Sequence, residues 1–155
     1  MSKINLIAEP GSHALSTSRE FNAPRDLVYK TLTDPGLVVK WWGLKSTTTE
    51  IDKMEVKPGG LWRYIERDEN GEYAFHGVYH TVSPEQIVYT FEFEGMPGHV
   101  LMSTTTLEEN NGKTTITESS VFQSVEDRDG MIQSGMEQGA AESWDSLEEL
   151  LRGMQ

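Results

Sequence analysis

Between residues 48 and 122 the chain is cut into six short runs by turn-forming clusters, and this punctuation restricts the fold more than any other feature. Lys57-Pro58-Gly59-Gly60, Asp68-Glu69-Asn70-Gly71, Ser83-Pro84-Glu85-Gln86, Gly95-Met96-Pro97-Gly98 and Asn110-Asn111-Gly112 each put Pro, Gly or Asn where a chain can reverse. The runs between them (48–56, 61–67, 72–82, 87–94, 100–108 and 113–122) read as strands. Consecutive strands joined by short turns form a mostly antiparallel sheet.

Upstream, 13–21 reads as a further strand. Asn22 reads as an N-cap with Pro24 near the first helical position, and Leu27, Val28, Thr31 and Leu32 share one helical face. Asp34-Pro35-Gly36 ends that helix, and a second, 36–42, closes on Trp41-Trp42-Gly43. Downstream, Met131, Ile132, Met136, Ala140, Trp144, Leu147 and Leu151 recur at three- and four-residue spacing, so 126–152 reads as one long amphipathic helix. Such a helix must bury its apolar stripe against the sheet. The expected architecture is α+β, in the order β-α-α-β6-α: a curved antiparallel seven-stranded sheet gripping a long C-terminal helix. Residues 1–12 read as an arm and 13–155 as one domain.

Composition excludes several functions. The 155 residues carry 13 Lys+Arg against 25 Asp+Glu, a net charge of -12. Nucleic acid and anionic membrane surfaces call for a basic face, so neither is an expected partner. No cysteine is present, which removes disulfides, thiolate nucleophiles and Cys-based metal sites. No run approaches the ~20 apolar residues of a membrane span, and the expected setting is the cytoplasm. Only 36% of residues are hydrophobic, yet 9% are aromatic, so a core would be built from a few large rings.

Turn lengths set which residues share a face. Reading Glu69-Asn70-Gly71 as a three-residue loop opposes Trp62 to Val78 and Tyr64 to His76. The Ser83–Gln86 turn then opposes Val82 to Ile87, His80 to Tyr89, Val78 to Phe91 and His76 to Phe93. This puts Trp62, Tyr64, His76, Val78, Tyr89, Phe91 and Phe93 on the inner face. Tyr73, Phe75 and Tyr79 fall outside, as a patch on which a homodimer could form. Ile116, Glu118, Ser120 and Phe122 share the inner face of the last hairpin. An aromatic wall with a few polar tips suits a small-molecule cavity, and it suits equally a core whose polar tips reach one another. In the long helix, Gly135, Gly139 and Ala140 lie on one stripe beside Met136. Small residues there allow either close approach to the sheet or space beneath the helix. Two adjacent Trp cannot both face the core from a helix, so one of Trp41 and Trp42 is expected near the surface or a cavity mouth.

In this order, several motifs resemble the START-like (helix-grip, SRPBCC) superfamily, with its Bet v-like fold. They are Arg19-Glu20-Phe21-Asn22-Ala23-Pro24, Thr33-Asp34-Pro35, Trp41-Trp42-Gly43, Lys57-Pro58-Gly59-Gly60, Phe75-His76-Gly77-Val78-Tyr79, Ile87-Val88-Tyr89-Thr90-Phe91 and Phe122-Gln123-Ser124. Within the superfamily, the chain resembles the single-domain bacterial type of the family named after the activator of the 90-kDa heat-shock protein's ATPase. The resemblance covers about residues 14–152. It implies a cavity between sheet and C-terminal helix for a lipid-, sterol- or polyketide-like molecule. It also implies two alternatives, a polyketide cyclase/dehydratase-like enzyme and a co-chaperone-like stimulator of a heat-shock ATPase. The sequence holds no support of its own for a chaperone partner, since residues 1–12 leave no room for a chaperone-binding domain.

Enzyme chemistry of the cyclase kind needs an acid or base within reach of substrate, for which His76, His80, Glu118, Tyr64 and Tyr89 are the candidates. No nucleophile motif or phosphate-cradling loop occurs. His76 and His80 would stand about 13 Å apart on a strand, too far to share a metal ion. The expectation is therefore a non-catalytic binder of a small hydrophobic molecule, without cofactor or metal. Its walls would be Trp62, Tyr64, His76, Val78, Tyr89, Phe91, Phe93, Glu118 and Met136.

Overall fold

The computed structural model describes residues 4–155, so Met1–Lys3 of the expected arm lie outside the described residues. The strands are β1 (Asn5–Ile7), β2 (Ala14–Phe21), β3 (Thr48–Met54), β4 (Leu61–Asp68), β5 (Gly71–Val82), β6 (Gln86–Phe93), β7 (Val100–Asn110) and β8 (Lys113–Val121). They form one antiparallel sheet in the order β1-β2-β8-β7-β6-β5-β4-β3. The helices are α1 (Arg25–Thr33), α2 (Pro35–Trp41), α3 (Val125–Gln133) and α4 (Met136–Gly153). The sheet has eight strands rather than seven because part of the arm pairs, with Leu6 opposite Thr17.

α1 and α2 carry the chain from β2, near one end of the sheet, to β3 at the other. Pro24 caps α1 in an extended conformation. Asp34 starts α2, its Oδ1 accepting the Gly36 N–H at 2.9 Å, with Pro35 at the first turn where its missing N–H costs nothing. At the end of α2, Trp41 is still helical and Trp42 is extended, so their side chains diverge. Trp41 is buried and donates its indole N–H to Thr31 O at 2.8 Å. Trp42 turns towards the sheet instead.

The expected single C-terminal helix is two helices. Gly135 breaks it with a φ of 87°, a left-handed conformation that glycine adopts without Cβ strain. The apolar spacing continues through the break, so periodicity alone cannot reveal it. Downstream, α4 buries Ala141, Trp144, Leu147 and Leu151. They pack on Phe21, Val28, Leu107 and Ile116, with Trp144 edge-on to Phe21 at 5.8 Å. Leu147 and Leu151 are almost fully covered, and burying each contributes about 1.5–3 kcal/mol. This core fixes the C-terminal part of α4 to β2, β7 and β8.

The register of β5 differs from the expected one. Asp68 pairs directly with Gly71, giving a two-residue loop, and the Asp68 Oδ1 accepts the N–H groups of Asn70 and Gly71. Trp62 therefore faces Gly77, Tyr64 faces Phe75 and Arg63 faces His76. On the other side of β5 the expected Val82–Ile87 pair holds. An irregularity between Tyr79 and Thr81 then shifts the ladder by one, so that Tyr79 meets Tyr89 and Phe75 meets Phe93. The side chains of β5 are exchanged between faces as a result. His76, Val78 and His80 lie outside, whereas Phe75 and Tyr79 lie inside. The expected outer patch of Tyr73, Phe75 and Tyr79 does not exist, and with it goes that argument for a homodimer.

Candidate functional site

Beneath the N-terminal part of α4 the sheet and helices enclose a cavity of about 690 Å³. Its largest wall is aromatic. Alternation along β4 and β6 points Trp62, Tyr64, Tyr89 and Phe91 inward, and β5 adds Phe75 and Tyr79. Trp62 organises this wall. Its ring lies 4.8 Å from Tyr64, 6.0 Å from Tyr89 and 5.7 Å from Phe91. The indole passes over Gly77 and donates to Thr90 O at 3.1 Å. A Cβ on Gly77 would sit 1.8 Å from Thr90 O and 2.6 Å from the indole nitrogen, so only glycine fits beneath the ring. Trp42 closes the wall from α2, edge-on to Tyr64 at 5.1 Å and to Phe75 at 5.5 Å.

The central strands contribute a polar stripe. Glu118 on β8 lies between its cross-strand partners Thr17 and Thr105, all three facing the cavity. Tyr89 donates its hydroxyl to Glu118 Oε1 at 3.2 Å. Ser103 and Ser120 form a hydroxyl pair at 2.8 Å one step along the strands. Glu118 and Tyr89 keep accessible surface although protein encloses them, because that surface faces the cavity. Burial raises the Glu118 carboxyl above its ordinary range, against the lowering effect of hydrogen bonds from Tyr89, Ser103 and Thr105. Burial likewise holds the Tyr89 and Tyr64 phenols protonated far into the alkaline range. The site thus offers neutral hydroxyls and a carboxyl that holds its proton to higher pH than an ordinary glutamate.

A second inward carboxyl, Glu66, follows Trp62 and Tyr64 on the same face of β4. It was not among the residues expected at the site, although the same alternation marks it. Its oxygens accept hydrogen bonds from the Thr47 and Thr49 hydroxyls. Burial raises its pKa while the two threonines oppose the rise. It sits under the Trp42–Gly43 turn, where a Cβ on residue 43 would collide with its carboxylate.

Of the nine expected wall residues, Trp62, Tyr64, Tyr89, Phe91, Glu118 and Met136 line the cavity. Phe93 stands on the same face and packs on Phe75 at 5.1 Å, outside the lining. Two positions are corrected. Val78 is 41% exposed on the outer face, opposite Leu61. His76 belongs to an outer-face charge network: its Nδ1 lies 2.8 Å from Glu94 Oε2 and its Nε2 3.3 Å from Glu92 Oε1. Arg63 donates to both oxygens of Glu94, at 2.7 and 3.0 Å. That contact, then His76, lowers the Glu94 carboxyl to about 2. His80 is exposed beside Thr81. Neither histidine reaches the cavity. Among the described residues no group of three or more His, Cys, Asp or Glu could hold a metal ion, and no helix is long and apolar enough to cross a membrane.

A family model described as "Activator of Hsp90 ATPase homolog 1-like protein" matches residues 22–152. The chain belongs to this family. No curated protein matches it. Solved structures with the same fold include protein Ms6760 from Mycobacterium smegmatis, at 22% identity and a TM-score of 0.87, covering 96% of this chain and 97% of that one. A Rhodobacter sphaeroides protein is similar at 22% identity and a TM-score of 0.88, over 97% and 99% of the two chains. CalU16 from Micromonospora echinospora shares the fold at 15% identity and a TM-score of 0.62, over 97% and 85%. The family match and these likenesses give the chain a helix-grip α+β fold of the START-like superfamily.

Proposed function

We propose that this protein binds a small hydrophobic molecule in the cavity between the sheet and α4, with no covalent chemistry. The observation that carries this reading is the cavity itself. Its volume of about 690 Å³ lies within the ~300–1,000 Å³ of small-molecule sites. Its walls are aromatic, and its few polar groups converge on Glu118, Tyr89 and the hydroxyls beside them. Covering the rings Trp62, Tyr64, Tyr89 and Phe91 with ligand would remove apolar surface from contact with cavity water, at ~25 cal/mol per Å². Tyr89 and Glu118 would then fix which end of the ligand points towards the central strands. The setting in which it would do so is the cytoplasm.

One observation favours a second reading, an enzyme of the cyclase/dehydratase kind. A buried carboxyl whose pKa is raised and which faces a cavity can act as a general acid. The pairing is incomplete, however. Glu66 is occupied by two threonines, and His76 and His80 are outside. With no free base placed beside Glu118 among the described residues, binding is the stronger reading.

Native mass spectrometry of protein purified from its own cells tests this directly. The expected spectrum contains an apolar adduct that is lost on unfolding. The neutral dye N-phenyl-1-naphthylamine should also brighten with the ligand-free protein and dim when Tyr89→Trp or Ala140→Phe fills the cavity. Dye uptake unaffected by both substitutions would place binding elsewhere and overturn the reading.

A further inference from the structure

Among the described residues the charged side chains that line the cavity are Glu66, Asp68 and Glu118, and no Lys, Arg or His joins them. This one-sidedness is not offset nearby. Arg19, on β2, points to α4 and is held by Asp145 at 2.8 Å and Glu148 at 3.2 Å. Arg128 is spent on the backbone oxygens of Glu9 and Ala14 and on Asp129. Arg63 and His76 are on the outer face of the sheet. Among the described residues a ligand in the cavity therefore meets acids, hydroxyls and ring faces, and no positive charge.

The three acids are not equivalent. Glu66 has both oxygens engaged by Thr47 and Thr49, and Asp68 holds the β4–β5 turn through the N–H groups of Asn70 and Gly71. Glu118 alone stands in the middle of the polar stripe, facing open cavity, with Tyr89 donating to one oxygen at 3.2 Å and the Ser103 and Thr105 hydroxyls also hydrogen-bonded to the carboxyl. A carboxylate has about four acceptor sites, so Glu118 retains capacity for a ligand. Tyr89, which touches it, continues into the cluster of Trp62 and Phe91. Aromatic faces attract organic cations, most strongly when water is excluded.

We infer that the cavity selects a hydrophobic monocation, an amine or quaternary ammonium, with its charged end at Glu118 and its apolar body among the rings. This rests on the cavity-binding reading above and specifies its ligand class. The physical argument is compensation. An anion would be buried beside a carboxyl with no counter-ion, a cost of several kcal/mol per unpaired charge. A neutral alcohol could share a hydrogen bond with the Glu118 carboxyl. A cation does more, because its charge favours ionised Glu118 and forms a buried pair. The proton that Glu118 still holds then leaves for solvent as the cation binds. The groups facing Glu118 are Tyr89 on β6, Ser103 and Thr105 on β7 and Thr17 on β2. The cavity residues of α4 (Met136, Gly139, Ala140, Ser143 and Trp144) carry no titratable group. Of these neighbours only Tyr89 titrates, at high pH, so the released proton is assigned to Glu118. The protein's net charge of -12 adds long-range attraction for a cation.

The test uses three ligands with one apolar body: decyltrimethylammonium, decanol and decanoate, each below its micellar concentration. Displacement of N-phenyl-1-naphthylamine from the ligand-free protein at neutral pH reads their affinities. The expected order is cation, alcohol, anion, with a step of about tenfold between cation and alcohol, equivalent to about 1.4 kcal/mol. Calorimetry in two buffers of different ionisation heat should show proton release with the cation and none with the alcohol. Glu118→Gln should lose the proton release and most of the cation's advantage over the alcohol. Decanoate binding as well as the cation, or Glu118→Gln keeping the full preference, would overturn the charge selection and leave the cavity reading standing. No dye uptake and no binding by any of the three would overturn both.

Discussion

Burial holds a proton on Glu118 to higher pH than in an unfolded chain, where glutamate titrates at about 4.3. Below that value both states are protonated and the residue is neutral in the balance. As pH rises past it, the unfolded chain loses a proton that the folded one keeps, so folding stability falls until the folded carboxyl also ionises. Glu118→Gln should therefore match the parent near pH 4 and exceed it in denaturant midpoint at pH 8, measured without ligand. A difference independent of pH would show that the carboxyl is not held protonated. Glu94 has the opposite sign. Its carboxyl, lowered to about 2, adds stability above the unfolded value and loses it as pH falls towards 2. Its contribution is small because it is partly exposed and screened. The sequence marked Glu118 reliably, since Ile116, Ser120 and Phe122 alternate with it in register. His76 was misplaced because Asp68-Glu69-Asn70-Gly71 supports a two- or a three-residue loop, and these differ by one residue in register. Nothing in that tetrapeptide announces that the Asp68 carboxylate will hold the shorter one.

Elements were legible where a local signal existed, and lost where a single backbone angle decided. The six turn-bounded strands and both short helices follow from Pro, Gly and apolar spacing, and strand bounds differ from the expected ones by one or two residues. The division of the C-terminal helix rests on Gly135 alone, and Gly130 provides the contrast. Gly130 lies within α3, where an added Cβ would meet no atom, and Gly135 has equal space but a left-handed backbone. Gly130→Ala should stabilise the protein by roughly 0.5–1 kcal/mol, through helix propensity and a less flexible unfolded chain. Gly135→Ala should destabilise it by about 1–2 kcal/mol, the cost of a left-handed alanine. Urea denaturation of the two variants measures the opposite signs. Equal effects would mean that the junction of α3 and α4 is a continuous helix in solution.

At the scale of the whole molecule, α4 belongs to two environments. Its C-terminal part is fixed by Trp144, Leu147 and Leu151 against Phe21, Leu107 and Ile116, with Trp144 and Ile116 also reaching the cavity. Its N-terminal part, with Met136, Gly139 and Ala140, spans the cavity and continues through Gly135 into α3, whose Met131 also faces the cavity. α3 is held by Arg128 to Glu9 O and Ala14 O, by Asp127 to His99 at 3.0 Å, and by Met131 and Ile132, which are only partly buried against Leu15, Leu101 and Phe122. Packing density sets local opening, so the two parts of α4 should open independently. Amide hydrogen exchange on the ligand-free protein should be slow around Leu147 and Leu151, and faster over α3 and the first turn of α4. A ligand bound only by the folded state at 100 times its dissociation constant adds about 2.7 kcal/mol of stability. If the ligand sits in the cavity, protection should rise first in α3, in the start of α4 and in the 43–47 loop, where Leu44 approaches Gly139. The amides around Leu151 should change only through the global gain. Uniform slowing along α4, with no excess at α3, would mean that the cavity does not open through this end of the helix pair, and entry would have to be sought at the Asp68–Tyr73 end of the β4–β5 hairpin.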